Sequence, residues 1–322
     1  MSKRRLNKQQ TARIEKQHQH YRHLQENEDN KTLCDGLVIT RYSRHAHVED
    51  HEGHDIHCVI RPNLNSVVAG DHVVWQPEGP AQGSIVSVYP RETVLGRPDA
   101  QGQVKAIAAN ISQMMVVIAS VPPISWLLLD SYLVMADYLS LPAVIILNKT
   151  DLDVESIQHD LLHDYEPLGY PLVLTNRVTN DLSALQKILR HQTSVFVGQS
   201  GVGKSSLITR LLPHEASRIK TGEISSQSQF GCHTTSNSQL FHLPTGGDLI
   251  DSPGVREFSL WTLPPTSIAA GFREFKPYLG QCKFRDCTHA QDTPSCAIID
   301  AVKSQQISMK RYTNYVKMLD LK

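Results

Sequence analysis

The chain has 322 residues, 40% hydrophobic and 20% charged, a length that suits two or three domains. Lys+Arg and Asp+Glu balance at 32 each, so overall charge gives no steering toward nucleic acid, and no apolar run is long enough for a membrane span. Six cysteines are too few and too clustered for a disulfide scaffold, which points to a reducing, cytoplasmic compartment.

Residues 1–33 read as a basic, disordered tail. Within residues 1–25, Lys3, Arg4, Arg5, Lys8, Arg13, Lys16 and Arg22 stand against Glu15 alone. An arm lying along RNA phosphates and a solvated leader both fit this composition. The stretch lacks an apolar core, so it is no secretory signal. From 34 to 97 short alternating segments predict strands over 36–42, 54–61, 71–76, 84–89 and 93–95, punctuated by Gly53, Gly70, Pro77, Pro80 and Gly83. Five short strands suit an OB-type barrel, which either binds RNA on one face or buttresses its neighbour. His45, His47, His51, His54 and His57 read as exposed side chains rather than a metal site. A polar linker is expected over 91–104.

Residues 103–263 alternate strands and helices. Strands are predicted over 114–119, 141–147, 170–174 and 193–197, with helices over 127–139, from 152 to about 165, and over 182–189. In the first helix Asp130 and Asp137 mark the expected outer face. The alternation implies a mostly parallel sheet covered on both faces, with its ligand at the strands' carboxyl ends.

The strand at 141–147 ends in Asn148-Lys149-Thr150-Asp151, the N-K-x-D pattern. A carboxylate at Asp151 can accept the N1–H and the 2-amino group of guanine. Adenine offers neither donor, so it would leave the carboxylate mismatched. The Lys149 stem can lie over the base, and Asn148 can brace the phosphate loop. That loop follows the strand at 193–197: Gly198-Gln199-Ser200-Gly201-Val202-Gly203-Lys204-Ser205-Ser206 fits G-x-x-x-x-G-K-[ST], and a helix over 207–212 follows, stopped by Pro213. Its backbone N–H groups and the helix N-terminus suit phosphate oxygens. Lys204 is placed to reach the β- and γ-phosphates, and the Ser205 hydroxyl to ligate Mg²⁺.

A polar stretch over 215–238 contains His233-Thr234-Thr235, and one of the two threonines is expected to close on Mg²⁺ when GTP is bound. The next apolar strand ends in Asp251-Ser252-Pro253-Gly254. Asp251 is placed to hold Mg²⁺ through water, and the Gly254 N–H to sense the γ-phosphate. Val255 stands where many GTPases carry a water-orienting Gln, and valine cannot hydrogen-bond a water. Intrinsic hydrolysis should therefore be slow and accelerated by a partner. His233 is the nearest candidate for the missing role, with packing or a switch-loop hydrogen bond as the alternative. The base pattern precedes the phosphate loop, so the GTPase order is circularly permuted. Compact domains tolerate this because their termini often lie close together.

Residues 264–322 begin at a Pro264-Pro265 break. Cys282, Cys287, His289 and Cys296 follow in the spacing C-x4-C-x-H-x6-C, an inventory for a closed, structural Zn²⁺ site. Helices are predicted over 294–303 and 308–319. Lys310, Arg311 and Lys317 give the last one a basic side. Because the second switch runs almost directly into this part, γ-phosphate is expected to set how it sits against the GTPase.

The motif order, His233-Thr234-Thr235, the Asp251–Phe258 stretch and the cysteine cluster together resemble the RsgA (YjeQ) family from about Leu33 to Tyr315. Resemblance to these circularly permuted GTPases implies GTP hydrolysis to GDP and phosphate with Mg²⁺, late maturation of the bacterial small ribosomal subunit, and that subunit with its rRNA as partner. A monomer with no membrane partner is expected. Cys232 departs from the Lys or Arg usual before His-Thr-Thr, and Ser236 from a third Thr. Thr175-Asn176 stands where the fifth guanine-contact loop usually reads Ser-Ala, and the final cysteine gap is one residue longer. The expected architecture is thus an α/β P-loop GTPase, circularly permuted, between an N-terminal OB-type barrel and a mainly helical zinc-binding C-terminal domain. Two rival readings remain: an RNA-binding module that uses GTP only as a conformational ligand, and a translation-coupled factor.

Overall fold

The computed structural model describes residues 32–64, 66–98, 104–179, 181–215, 238–251, 263–291 and 293–320. The expected tail lies outside these as far as residue 31. Tertiary contacts divide the chain into two units. One comprises Met1–Gly96, Ala106–Asn110 and Asn237–Leu240, and the other the remainder.

In the first unit, period-two apolar patterning builds β1 (Cys34–Tyr42), β2 (His45–Glu49), β3 (Asp55–Ile60), β4 (His72–Gly79) and β5 (Gln82–Val88). β1 pairs antiparallel with β2 and β4, β2 antiparallel with β3, β3 parallel with β5, and β5 antiparallel with β4. The ring therefore closes in the order 1-2-3-5-4. Val38, Ala46, Val48, Ile56, Cys58, Ile60, Val73, Trp75 and Ile85 fill it.

One expected strand is misplaced. Thr93–Leu95 does not complete the barrel; β6 (Val94–Pro98) instead pairs with β7 (Val104–Ala109) in a separate two-stranded sheet. β6 lies within the expected linker, and β7 begins at its last residue. The missing barrel strand is β2, whose Ala46 and Val48 point inward and whose histidines point out. His45 stacks on His57 at 4.9 Å between ring centroids, and His47 Nδ1 lies 2.8 Å from Asp55.

The second unit contains β8 (Gln113–Ala119), α1 (Trp126–Tyr138), β9 (Ala143–Asn148), α2 (Glu155–Asp164), β10 (Leu172–Leu174), α3 (Ser183–Leu189), β11 (Thr193–Val197), α4 (Lys204–Leu211), the second half of β12 (Gln239–His242), β13 (Asp248–Asp251), α5 (Pro265–Gly271), α6 (Ala297–Lys303) and α7 (Met309–Asp320). Its parallel strands lie in the order β10-β9-β8-β11-β13. The chain moves outward from β8 to β10, then returns to place β11 on the other side of β8. The direction of winding reverses between β8 and β11, so a crevice opens above their carboxyl ends. β8 and β9 are buried on both faces, as a helix-covered parallel sheet requires.

The expected outer face of α1 is overturned. Every residue from Leu129 to Ala136 is buried, including Asp130. The C-terminal helices α5 and α7 pack against α1. Asp130 there accepts hydrogen bonds from Arg311 Nη1 at 2.5 Å, Asn314 Nδ2 at 2.6 Å and the Tyr165 hydroxyl at 3.0 Å. Arg311 also donates to Glu274 through Nε and Nη2. Burial disfavours the Arg311 charge, but Asp130 and Glu274 outweigh it and hold its pKa well above the ordinary value. Asp137 takes Arg273 Nε at 2.9 Å and Lys276 Nζ at 2.7 Å. The basic side expected of α7 is therefore split. Arg311 is buried, Lys310 pairs with Asp160 at 2.7 Å, and Lys317 is exposed.

Candidate functional site

The phosphate loop leaves β11 beside β8, and two of its glycines are required by contact as well as conformation. Gly198 has φ of 142°, and a Cβ there would lie 2.1 Å from the Val117 carbonyl oxygen. Gly203 has φ of 100°, and a Cβ would lie 2.4 Å from Asn148 Nδ2. Gly203 is also the N-cap of α4, and no side chain caps that helix. The first N–H groups of α4 lack intrahelical partners and carry the positive end of the dipole, which makes this turn an anion site. Lys204 opens the helix, is buried, and donates Nζ to the carbonyls of Gly198 at 2.5 Å and Gln199 at 2.7 Å. Val202 is buried, whereas Ser205 and Ser206 are half-buried in the first turn.

The N-K-x-D residues leave the carboxyl end of β9, on the other side of β8. Asn148 is buried and donates Nδ2 to the Val202 carbonyl at 2.9 Å, so base signature and phosphate loop are joined directly. Lys149 donates Nζ to Gly201 O at 2.8 Å and Val121 O at 2.7 Å, which stretches its stem across the loop. Asp151 is exposed. The segment after β10 closes the same corner. Thr175 is buried and donates its hydroxyl to Asn148 Oδ1 at 2.9 Å. Thr150 donates N–H to the Thr175 carbonyl at 3.2 Å, and Asn176 donates Nδ2 to Thr150 Oγ1 at 3.3 Å. Thr175 and Asn176 thus bind the N-K-x-D segment through side-chain hydroxyl and amide.

Asp251 ends β13, the strand next to β11, and is half-buried. Base pattern, phosphate loop, Thr175-Asn176 and Asp251 therefore gather at one end of one sheet. Ser205 and Asp251 offer the oxygen donors that suit Mg²⁺. His233, Thr234, Thr235 and Gly254 lie outside the described residues.

The residues expected to ligate a metal also meet. The ligand atoms of Cys282, Cys287, His289 and Cys296 all lie within 4.8 Å of one another. His289 Nδ1 is 3.4 Å from the sulfurs of Cys282 and Cys287 and 3.5 Å from that of Cys296, and the Cys282 and Cys296 sulfurs are 3.8 Å apart. A tetrahedral Zn²⁺ with bonds of about 2.3 Å to sulfur and about 2.0 Å to nitrogen sets edges of about 3.8 Å and about 3.5 Å. These four separations fit that geometry. Burial lowers the His289 pKa, which favours the neutral imidazole that a metal requires. Two hydroxyls of α7 hold the ligand loop by its backbone, Tyr312 to His289 O at 3.0 Å and Tyr315 to Thr288 O.

Sequence reasoning missed Arg210. It lies on α4 beyond the phosphate motif and donates Nη1 to the Asn176 carbonyl at 2.8 Å. Its only signal was a cation on a short apolar helix, which reads as an ordinary surface residue. Val121, whose carbonyl receives Lys149, carried no signal at all because it acts through its backbone.

A sequence model of the RsgA GTPase family matches residues 88–261. Over 99% of its length the chain is 44% identical to the small ribosomal subunit biogenesis GTPase RsgA of Actinobacillus pleuropneumoniae serotype 5b (strain L20), covering 96% of that protein. The crystal structure of YjeQ from Thermotoga maritima matches with a TM-score of 0.72 at 30% identity, covering 90% of this chain and 99% of that one. YloQ, described as a circularly permuted GTPase, matches with a TM-score of 0.68 at 27% identity, covering 90% and 95%. The permuted motif order, the strand order around β8 and near-full-length identity agree: the chain belongs to the RsgA GTPase family and is a circularly permuted GTP hydrolase.

Proposed function

We propose that this GTPase acts as a cytoplasmic monomer in late maturation of the small ribosomal subunit, binding the subunit and its rRNA and hydrolysing GTP faster when bound. The observation that carries this reading is 44% identity over 99% of the chain to a protein named for small ribosomal subunit biogenesis. The barrel and the metal-bearing C-terminal part are the proposed RNA-facing regions.

In the proposed reaction Asp151 reads the guanine edge, Lys149 covers the base, and Asn148 with Thr175 keeps that pocket in register with the phosphates. Thr150 and Asn176 hold the pocket's far wall. The amides from Gly198 through Ser206 hold the phosphate oxygens. Water attacks the γ-phosphorus, the bond to the β–γ bridging oxygen breaks, GDP leaves with that electron pair, and the water's oxygen and protons depart on the phosphate as H2PO4⁻. Lys204 releases its two loop carbonyls and compensates the charge that develops on the transferred group. Mg²⁺, held by Ser205, by one of Thr234 and Thr235, and by Asp251 through water, would neutralise phosphate charge. Gly254 senses the γ-phosphate, and His233 orients the water that Val255 cannot. Zn²⁺ on Cys282, Cys287, His289 and Cys296 is structural, because four protein ligands leave no open position.

Turnover with purified small or large subunits tests the ribosomal reading. Acceleration by small subunits alone is expected; equal turnover with and without them would overturn that reading and leave the GTPase intact. For the metal, Cys287→Ser protein should lose its zinc in elemental analysis while retaining GDP binding. Full zinc occupancy in that variant would sink the assignment.

A further inference from the structure

Two neighbouring strands of the barrel present histidine on their outer face. In β2 Ala46 and Val48 are buried, and His45, His47 and Glu49 alternate with them. In β3 Ile56, Cys58 and Ile60 are buried, and Asp55, His57 and Val59 alternate with them. The antiparallel register sets His47 opposite His57 and Glu49 opposite Asp55. Period two along β2 and cross-strand pairing with β3 thus gather three imidazoles on one side of the sheet. Their rings meet. His57 stacks on His45 with centroids 4.9 Å apart and stands edge-on to His47 at 5.6 Å.

His47 is also oriented from behind. Its Nδ1 lies 2.8 and 2.9 Å from the two carboxylate oxygens of Asp55. An ionised carboxylate can only accept, so Nδ1 carries the hydrogen and Nε2 keeps its lone pair. A carboxylate placed this way fixes the ring and makes the other nitrogen a stronger metal ligand. Asp55 and Glu49 also put negative charge on the same face, which favours a divalent cation there. Among the described residues, only the cysteine–histidine group has three or more donor atoms within 4.8 Å of one another. Bringing the barrel nitrogens around one ion takes side-chain rotation. His45 and His57 are exposed, and the terminal torsion of histidine is broad, so that rotation costs little.

We propose that His45, His47 and His57 form an exchangeable site for a divalent transition-metal ion such as Zn²⁺, with Asp55 as its positioning residue. Imidazole suits zinc, copper and nickel, and three protein ligands leave a fourth position for water. The site therefore differs in kind from the cysteine cluster, whose four ligands would close it.

Titration of the full chain with Zn²⁺, followed by calorimetry after the zinc already held has been counted by elemental analysis, tests the proposal. One further zinc per chain is expected. Asp55→Asn should weaken it by about tenfold, the low end for a partner behind a metal ligand, and His45→Gln, His47→Gln and His57→Gln each by more. These side chains lie outside the barrel core, so thermal unfolding without added metal should stay unchanged and report that each variant folds. The further zinc should persist in Cys287→Ser protein, which tells the two sites apart. Zinc bound equally tightly by all three histidine variants would be an adventitious ion elsewhere on a chain with 16 histidines, and would overturn the proposal. Absence of any zinc beyond that on the cysteines would overturn it as well.

Discussion

Lys204 and Arg311 are both buried cations in the same unit, and their partners differ in kind. Among the partners of Lys204 are two backbone carbonyls of its own loop. Arg311 faces two carboxylates on other elements, Asp130 on α1 and Glu274 beyond α5. A carbonyl dipole holds a lysine without neutralising its charge. An arginine closed on two carboxylates has its charge neutralised inside the protein. Burial of a cation therefore says little about function until its counter-groups are named. The nucleotide cradle is built from groups that can let go, and the junction with the C-terminal helices from groups that cannot without leaving a charge stranded.

The most damaging way to break this contrast is Arg311→Met. It strands Asp130 and Glu274, and removing one partner of a buried pair costs about 3–5 kcal/mol. Denaturant unfolding should show that loss, and Asp130→Asn combined with it should restore part of the stability. A change below about 1 kcal/mol would mean that the junction behaves as surface charge. The matching change in the cradle, Lys204→Met, should leave folding nearly unaltered and lower GTP turnover by about 10²–10³-fold, the scale of removing one preorganised donor to the transition state. A large stability loss with turnover intact would erase the distinction between the two cations. The smallest effect is expected at the rim of the junction. Lys310 pairs with Asp160 and lies 3.1 Å from the centroid of the Trp126 ring, but its side chain keeps 30% of its exposure. Lys310→Ala should cost no more than about 1 kcal/mol, measured in the same unfolding experiment.

The junction also bears on how γ-phosphate could move the C-terminal part. Arg273 and Lys276 reach Asp137, Arg311 and Asn314 reach Asp130, and Ser308 and Lys310 reach Asp164 and Asp160. These carboxylates sit on α1 and α2, the helices on either side of β9 and its base signature. The C-terminal part is anchored to the base-reading half of the nucleotide unit, whatever the 252–262 connector does.

The proposed nucleotide and metal residues could be named from the sequence because their chemistry needs contiguous chain. A phosphate cradle is successive N–H groups, so Gly198–Ser206 announces itself. The base signature and the cysteine–histidine cluster likewise place several ligands within one short loop each. The same holds for strands whose pattern is local: the expected 193–197 coincides with β11. β2 was missed because histidines on its outer face hid the alternation of Ala46 and Val48. The α1 face was misread because Asp130 obeys the rule for an exposed helix, whose exception depends on Arg311, 181 residues away.

By itself, then, the sequence determined what chemistry the chain carries and in which permuted order, since those patterns are written in neighbouring residues. Only the tertiary structure decided which charges meet backbone carbonyls and which face each other. It closed the barrel through the β1–β4 and β3–β5 pairings, put Arg210 on the Asn176 carbonyl, and covered α1 with α5 and α7. The physical reason is that a polar side chain takes its partner from whatever the fold brings within about 3 Å, and that partner is not recorded beside it in the chain.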